Sequence, residues 1–148
     1  MVGPFPLAEV IDRLKAHVPL AKVIGTAADL DSAVEIPPNA NPALYVLTEE
    51  RGGEGKYSGP VTIQNVEVIL KVVRLVRSAS GEKHGRGARK KTDEIAGQIR
   101  AALIGWTPGD AFEAITFQSG RDDQYRSGWL AGQELFRTQY RIQHQALT

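Results

Sequence analysis

The densest run of potential chemistry in this sequence is basic. Lys83, His84, Arg86, Arg89, Lys90 and Lys91 fall within nine residues, and Glu82 is the only acid of the segment 78–91. Cations at that density suit an electrostatic contact with a phosphate backbone or an acidic protein face. They equally suit a solvated loop whose charges keep it off the core. No aromatic residue is interleaved, so stacking on bases is not indicated. Gly81, Gly85 and Gly87 lie between an expected strand and an expected helix, the setting of a phosphate-cradling loop. Their spacing does not fit. A Walker loop closes on Gly-Lys followed by Ser or Thr, whereas the fifth residue after Gly81 is Arg86.

The remaining reactive residues are scattered. His17, His84 and His144 do not pair with one another or with a carboxylate at the i, i+3 or i, i+4 spacing that ligation on a helix requires. Asp122 and Asp123 are adjacent in a turn-like stretch, an arrangement that favours solvation over shared acid–base work. Without cysteine there is no thiol nucleophile, disulfide or thiolate-bound zinc, which fits a reducing compartment. No catalytic, cofactor-binding or metal-binding residue is therefore expected, and no enzymatic activity. A second polar pattern lies near the end of the chain, where Arg137, Gln139 and Arg141 alternate with apolar residues on an expected strand. Two arginines on one strand face match carboxylates on a neighbour, which marks this face as a candidate subunit or partner surface. An ordinary wet sheet face fits the same pattern.

The elements that must position these residues follow from periodicity. Leu7, Val10, Ile11, Leu14 and Val18 recur at helical spacing after Pro4 and Pro6, and Pro19 ends that helix. Residues 22–31 read both as a short strand and as a helical turn. The sequence ALYVLT at 43–48 reads as a strand, and the glycine-rich 49–60 as a loop. From Val61 to about Arg77, alternation sets Val66, Val68, Leu70 and Val72 on one face against Glu67, Ile69, Lys71 and Val73 on the other. The basic segment 78–91 reads as a flexible loop, with Thr92 capping a helix whose stripe is Ile95, Ile99, Ala102, Leu103 and Trp106. Gly105, Trp106 and Pro108 form the turn that stops it. A strand at 112–119, a turn at 120–124 and a long final strand complete the chain. In that last strand Leu130, Phe136, Tyr140 and Ile142 oppose Gln133, Arg137, Gln139, Arg141 and Gln143.

These elements predict a single α+β domain over 1–148, a mostly antiparallel sheet with two main helices packed on one face. At 148 residues, folding should bury about 70% of the unfolded chain's surface, enough for an independent core. The 42% hydrophobic and 24% charged content excludes wholesale disorder. A formal charge of +1 lacks the global footprint of a dedicated nucleic-acid binder, so any such role would rest on the loop alone. No stretch reads as a membrane span or a secretory leader.

Three segments in order, ALIGWTP at 102–108, FQSG at 117–120 and LFRTQYRI at 135–142, resemble the tail terminator proteins of long-tailed bacteriophages, the minor tail protein U and Gp37-like family. A helix at the N-terminus, a long strand such as VEVILKVVRLVR at 66–77, a loop, and a helix ending in a Leu-x-Gly-Trp-x-Pro turn match the family arrangement over nearly the whole chain. The resemblance implies a non-enzymatic virion protein. It would form a homo-hexameric ring at the head-proximal end of the tail tube, stop tube polymerisation and offer a surface for joining the head. The partners implied are further copies of itself, the tail tube protein and head–tail connector or neck proteins. Its place would be the neck region of the virion tail, after assembly in the host cytoplasm. The basic loop would become ordered only on assembly, because so few apolar anchors cannot offset the roughly 1–2 kcal/mol per residue of backbone entropy lost. In the ring such loops would also allow non-specific DNA contact in the channel. The alternative is a nucleic-acid-binding accessory module using the basic loop 83–91.

Overall fold

In the computed structural model the described residues are 2–30, 41–77, 86–126 and 128–148, apart from the side chains of 86 and 124–126. Helix α1 spans Leu7–His17 and buries Val10 and Leu14, with Glu9 in its first turn and Lys15 and His17 in its last, as the helix dipole favours. The ambiguous stretch after it is both things in turn. Strand β1 spans Val23–Thr26, and a helical stretch begins at 27–30. Thr26 is the switch: the Asp29 carboxylate accepts hydrogen bonds from Thr26 N (2.7 Å) and Oγ1 (3.0 Å), the return half of a capping box. These bonds hold the Asp29 carboxyl below its ordinary pKa.

Five more strands and one long helix follow: β2 (Ala43–Gly52), β3 (Lys56–Ser58), β4 (Val61–Arg77), α2 (Arg86–Leu103), β5 (Thr116–Arg126) and β6 (Trp129–Gln145). The six strands form one open sheet in the order β1-β2-β4-β6-β5, with β3 also paired to β4. Among the described residues β1–β2 is the one parallel pairing and the others are antiparallel. The fold is therefore α+β with a mostly antiparallel sheet. Its spine is the uninterrupted β4–β6 ladder, from Val61↔Gln145 to Arg77↔Trp129. Burial along β4 and β6 alternates with period two, as the residue pattern requires. One buried cluster joins Val66, Val68, Leu70 and Val72 of β4 and Phe136 of β6 to residues of both helices, including Leu14, Ile95, Ile99 and Leu103.

Four boundaries differ from the sequence expectation. The stretch 49–60 is not all loop, because β2 continues through Gly52 against Val66 and β3 forms a hairpin with β4 across Gly59, at φ +60°. These residues are exposed on both faces, so they carry no alternation to read. Helix α2 begins at Arg86, not Thr92, so Arg86, Arg89, Lys90 and Lys91 are helical and not part of a flexible loop. Ala88 is buried one turn before Thr92, and Ala, Arg and Lys are all good helix formers; the basic residues are the outer side of an amphipathic turn. The rest of the expected loop, 78–85, lies outside the described residues. Strand β5 starts at Thr116 and not at 112, leaving Phe112 in an isolated bridge to Tyr140. It then runs straight through the expected turn at 120–124, absorbing Gly120 and the aspartates with register shifts at 117/119 and 122/124.

Candidate functional site

The even-numbered residues of β4 and β6 point into the core, and two of them are charged. Arg74 stands in phase with Leu70, Val72 and Val76, and Glu134 in phase with Leu130 and Phe136. Register places Arg74 opposite Gly132 and Glu134 opposite Val72, so the two are diagonal neighbours on one face. Glu134 is fully buried and Arg74 nearly so. Arg74 Nη2 donates to Glu134 Oε1 (3.3 Å) and to the Arg121 carbonyl (3.1 Å), while Nη1 donates to Thr92 Oγ1 (3.0 Å) and Asp122 Oδ1 (2.8 Å). Arg100 completes the shell, with Nε 2.8 Å from Glu134 Oε2 and Nη2 3.1 Å from Oε1. These bonds to Glu134 raise the Arg100 pKa further.

Absent side chains make the room. A Cβ at Gly120 would stand 2.6 Å from Arg100 Nη2, and one at Gly132 would collide with the Arg74 guanidinium. The network ties α2 to β4, β5 and β6 and lines a cleft of about 340 Å3, with Asp93, Gly97, Arg100, Gly120 and Arg121 at its walls. Arg100 also stacks over Phe117, its guanidinium carbon 4.4 Å from the ring centre. Sequence reasoning missed this network. Its signal was there: an arginine and a glutamate in the core-facing phase of two apolar strands demand partners, because a buried charge is tolerated only when paired.

The basic residues are described only in part. Lys83 and His84 lie outside the described residues, and Arg86 is placed only as the first residue of α2. Arg89 is bound to Asp122 (2.7 Å), which joins it to the buried network, while Lys90 is exposed and Lys91 half-buried. Asp122 and Asp123 are likewise ion-pair partners, Asp123 of Arg121 at 2.8 Å.

Arg137, Gln139 and Arg141 do share the sheet face opposite the core-facing phase. Arg137 Nε lies 3.0 Å from Glu67 Oε1, and Gln139 Nε2 donates to Glu113 Oε1 at 2.7 Å. Arg141 borders a hollow of about 220 Å3 with Glu54, Lys56, Ile63, Gln64 and Asn65. Here β4, β6 and β3 project as an arm: residues 61–65 pair with 141–145, and Lys56–Ser58 pairs with 61–63.

The helix-ending turn has the geometry its residues suggest. Gly105 sits at φ +82°, and its N–H donates to the Ile115 carbonyl (2.8 Å), while Ile115 N–H donates to the Trp106 carbonyl (2.9 Å). Trp106 is half-buried against the core, with the Arg13 guanidinium 5.5 Å from its ring centre. Pro108 follows, half-buried, where Thr107 Oγ1 donates to the Gly109 carbonyl (2.7 Å).

What these side chains can do is hold and match charge. Among the described residues no three His, Cys, Asp or Glu side chains gather as a metal site, and no described helix is long and apolar enough to cross a membrane. A sequence profile of the family described as phage tail terminator protein matches residues 1–146. No curated protein matches the chain.

Proposed function

This chain belongs to the phage tail terminator family, a family of structural tail proteins, and from that premise we propose that it caps the head-proximal end of the tail tube as a homo-hexameric ring. The ring ends tube polymerisation and gives head–tail connector or neck proteins the surface on which they join. The observation that carries this reading is the family match over 1–146, which spans every element of the fold. It acts by surface matching and not by catalysis. In this reading α1 and α2 cover the same sheet face, and the other face, with Arg137, Gln139 and Arg141, is turned to a neighbouring subunit or to the tube. The basic start of α2, with Arg89, Lys90 and Lys91, faces an acidic partner at the neck. The nucleic-acid alternative gains no support from the geometry, since Arg89 is already neutralised by Asp122. The chain enters the virion during assembly in the host cytoplasm.

The test is the position of the protein in assembled tails, by labelling and electron cryomicroscopy. A single ring at the head-proximal end is expected. Decoration along the tail, or absence from the particle, overturns the proposal.

A further inference from the structure

A closed ring of identical subunits needs a heterologous contact, two different surfaces on each subunit that fit one another. Among the described residues, the exposed large apolar side chains fall in two places far apart along β4 and β6. At the tip of the arm, Tyr57 on β3 is 80% exposed, and Leu147 lies two residues past β6 at the same end. On the flank formed by α2 and β5, Ile104 is 49% and Phe117 40% exposed, one turn and one ring stack away from Arg100. Beside that flank, and sharing Arg100 with it, opens the 340 Å3 cleft, whose wall at Gly97 has no atom within 4 Å of where a Cβ would stand.

We infer that the arm of one subunit docks on the α2–β5 flank of the next, with Tyr57 seated in the cleft beside Phe117 and Ile104; this rests on the ring reading above. Tyrosine is among the side chains that anchor interfaces; its ring would pack on Phe117, Ile104, Ala96 and Gly97 at the rim of the cleft while its hydroxyl reaches the charged wall that makes up most of the lining. Here that wall is Arg100 and Asp93. Charge agrees with shape. Among the described residues neither Lys56, beside Tyr57, nor Asp93, in the cleft, makes an ion pair within the subunit. The docked arm brings the two together. The arm is free to reach a neighbour because residues 61–65 and 141–145 pair beyond the last residues that β2 and β5 reach, and among the described residues the outer edge of β3 has no strand beside it.

Tails are assembled with a photo-reactive benzoylphenylalanine in place of Tyr57, irradiated, and the cross-linked peptides identified by mass spectrometry. The expected product joins position 57 to residues 93–104 or 116–121 of a second copy. A product with the tube or a neck protein, with another region of the same chain, or no product at all overturns the docking. Charge exchange gives a second measurement. Lys56→Glu and Asp93→Lys should each reduce ring incorporation at least tenfold, and the pair together should restore it; equal loss in the double variant overturns the match. If the protein caps the tail as a ring and these results fail, only the docking falls. If no ring is found at the tail end of the unaltered virion, the ring reading falls with it.

Discussion

Glu134 is the residue on which the interior balance turns. Its carboxylate sits between two guanidinium groups in a site with no access to water. Neutralising it as Glu134→Gln leaves Arg74 a buried, under-compensated charge, and the expected cost in urea unfolding is about 3–5 kcal/mol. Replacing both partners, Arg74→Met with Glu134→Leu, removes the desolvation penalty together with the attraction, and should cost far less than Glu134→Gln alone. A double variant no more stable than the single one would show that the network stabilises outright. Tyr140 sets a different dependence. Burial, with a 2.5 Å hydrogen bond from its hydroxyl to Glu50 Oε1, pushes its pKa up to about 12 from an ordinary value near 10. Because the folded-state pKa is raised, this contribution is complete below pH 10 and is lost as pH rises from 10 through 12. Tyr140→Phe should cost about 1–3 kcal/mol at pH 7. Its deficit relative to the parent chain should shrink across that alkaline window, read from unfolding midpoints at successive pH values.

At the scale of elements, the unexpected feature is the early start of α2. Thr92, which has the residue type of a cap, is instead buried in the helix and spends its hydroxyl as an acceptor for Arg74 Nη1. Thr92 hydroxyl removal in Thr92→Val keeps the volume and takes away one partner of a buried charge, and a loss of about 1–3 kcal/mol is expected. The amides tell the two boundaries apart. From Lys90 onward each N–H has a carbonyl four residues earlier within the helix, so in the isolated protein exchange should be slow from Lys90 through Leu103. Fast exchange up to Lys91 would return these residues to a loop. The turn that ends α2 acts on the sheet as well, because Gly105 and Trp106 exchange backbone hydrogen bonds with Ile115, just before β5 begins.

At the scale of the molecule, one sheet face is closed by the core and the other keeps a line of charge. Arg137 is paired with Glu67, but at an exposed position such a pair contributes about 0–1 kcal/mol. Reversing both arginines, as Arg137→Glu with Arg141→Glu, should therefore leave the unfolding midpoint nearly unchanged while blocking incorporation into tails. Normal incorporation of that variant would remove this face from the set of assembly surfaces. The two outcomes separate cleanly because folding draws on the buried face, whereas the proposed assembly contact would draw on the exposed one.

Local pattern alone determined α1, the full extent of β4, the facing of β4 and β6, and the turn at Gly105, because in each the constraint is carried by residues near in sequence: a helical stripe, a two-residue alternation, a glycine at positive φ. The motifs at 102–108, 117–120 and 135–142 likewise carried the family, which the match over 1–146 shows. Tertiary structure alone decided what the exposed and the charged residues do. Strand pairing at 49–58 and 120–126 is made by backbone groups that every residue shares, so no side-chain pattern announces it. The arginines at 74, 89 and 100 differ little as letters in a sequence. Only the register of β6 against β4 and the docking of α2 put a carboxylate beside each of them, and Coulomb attraction depends on distances and burial that sequence spacing does not fix.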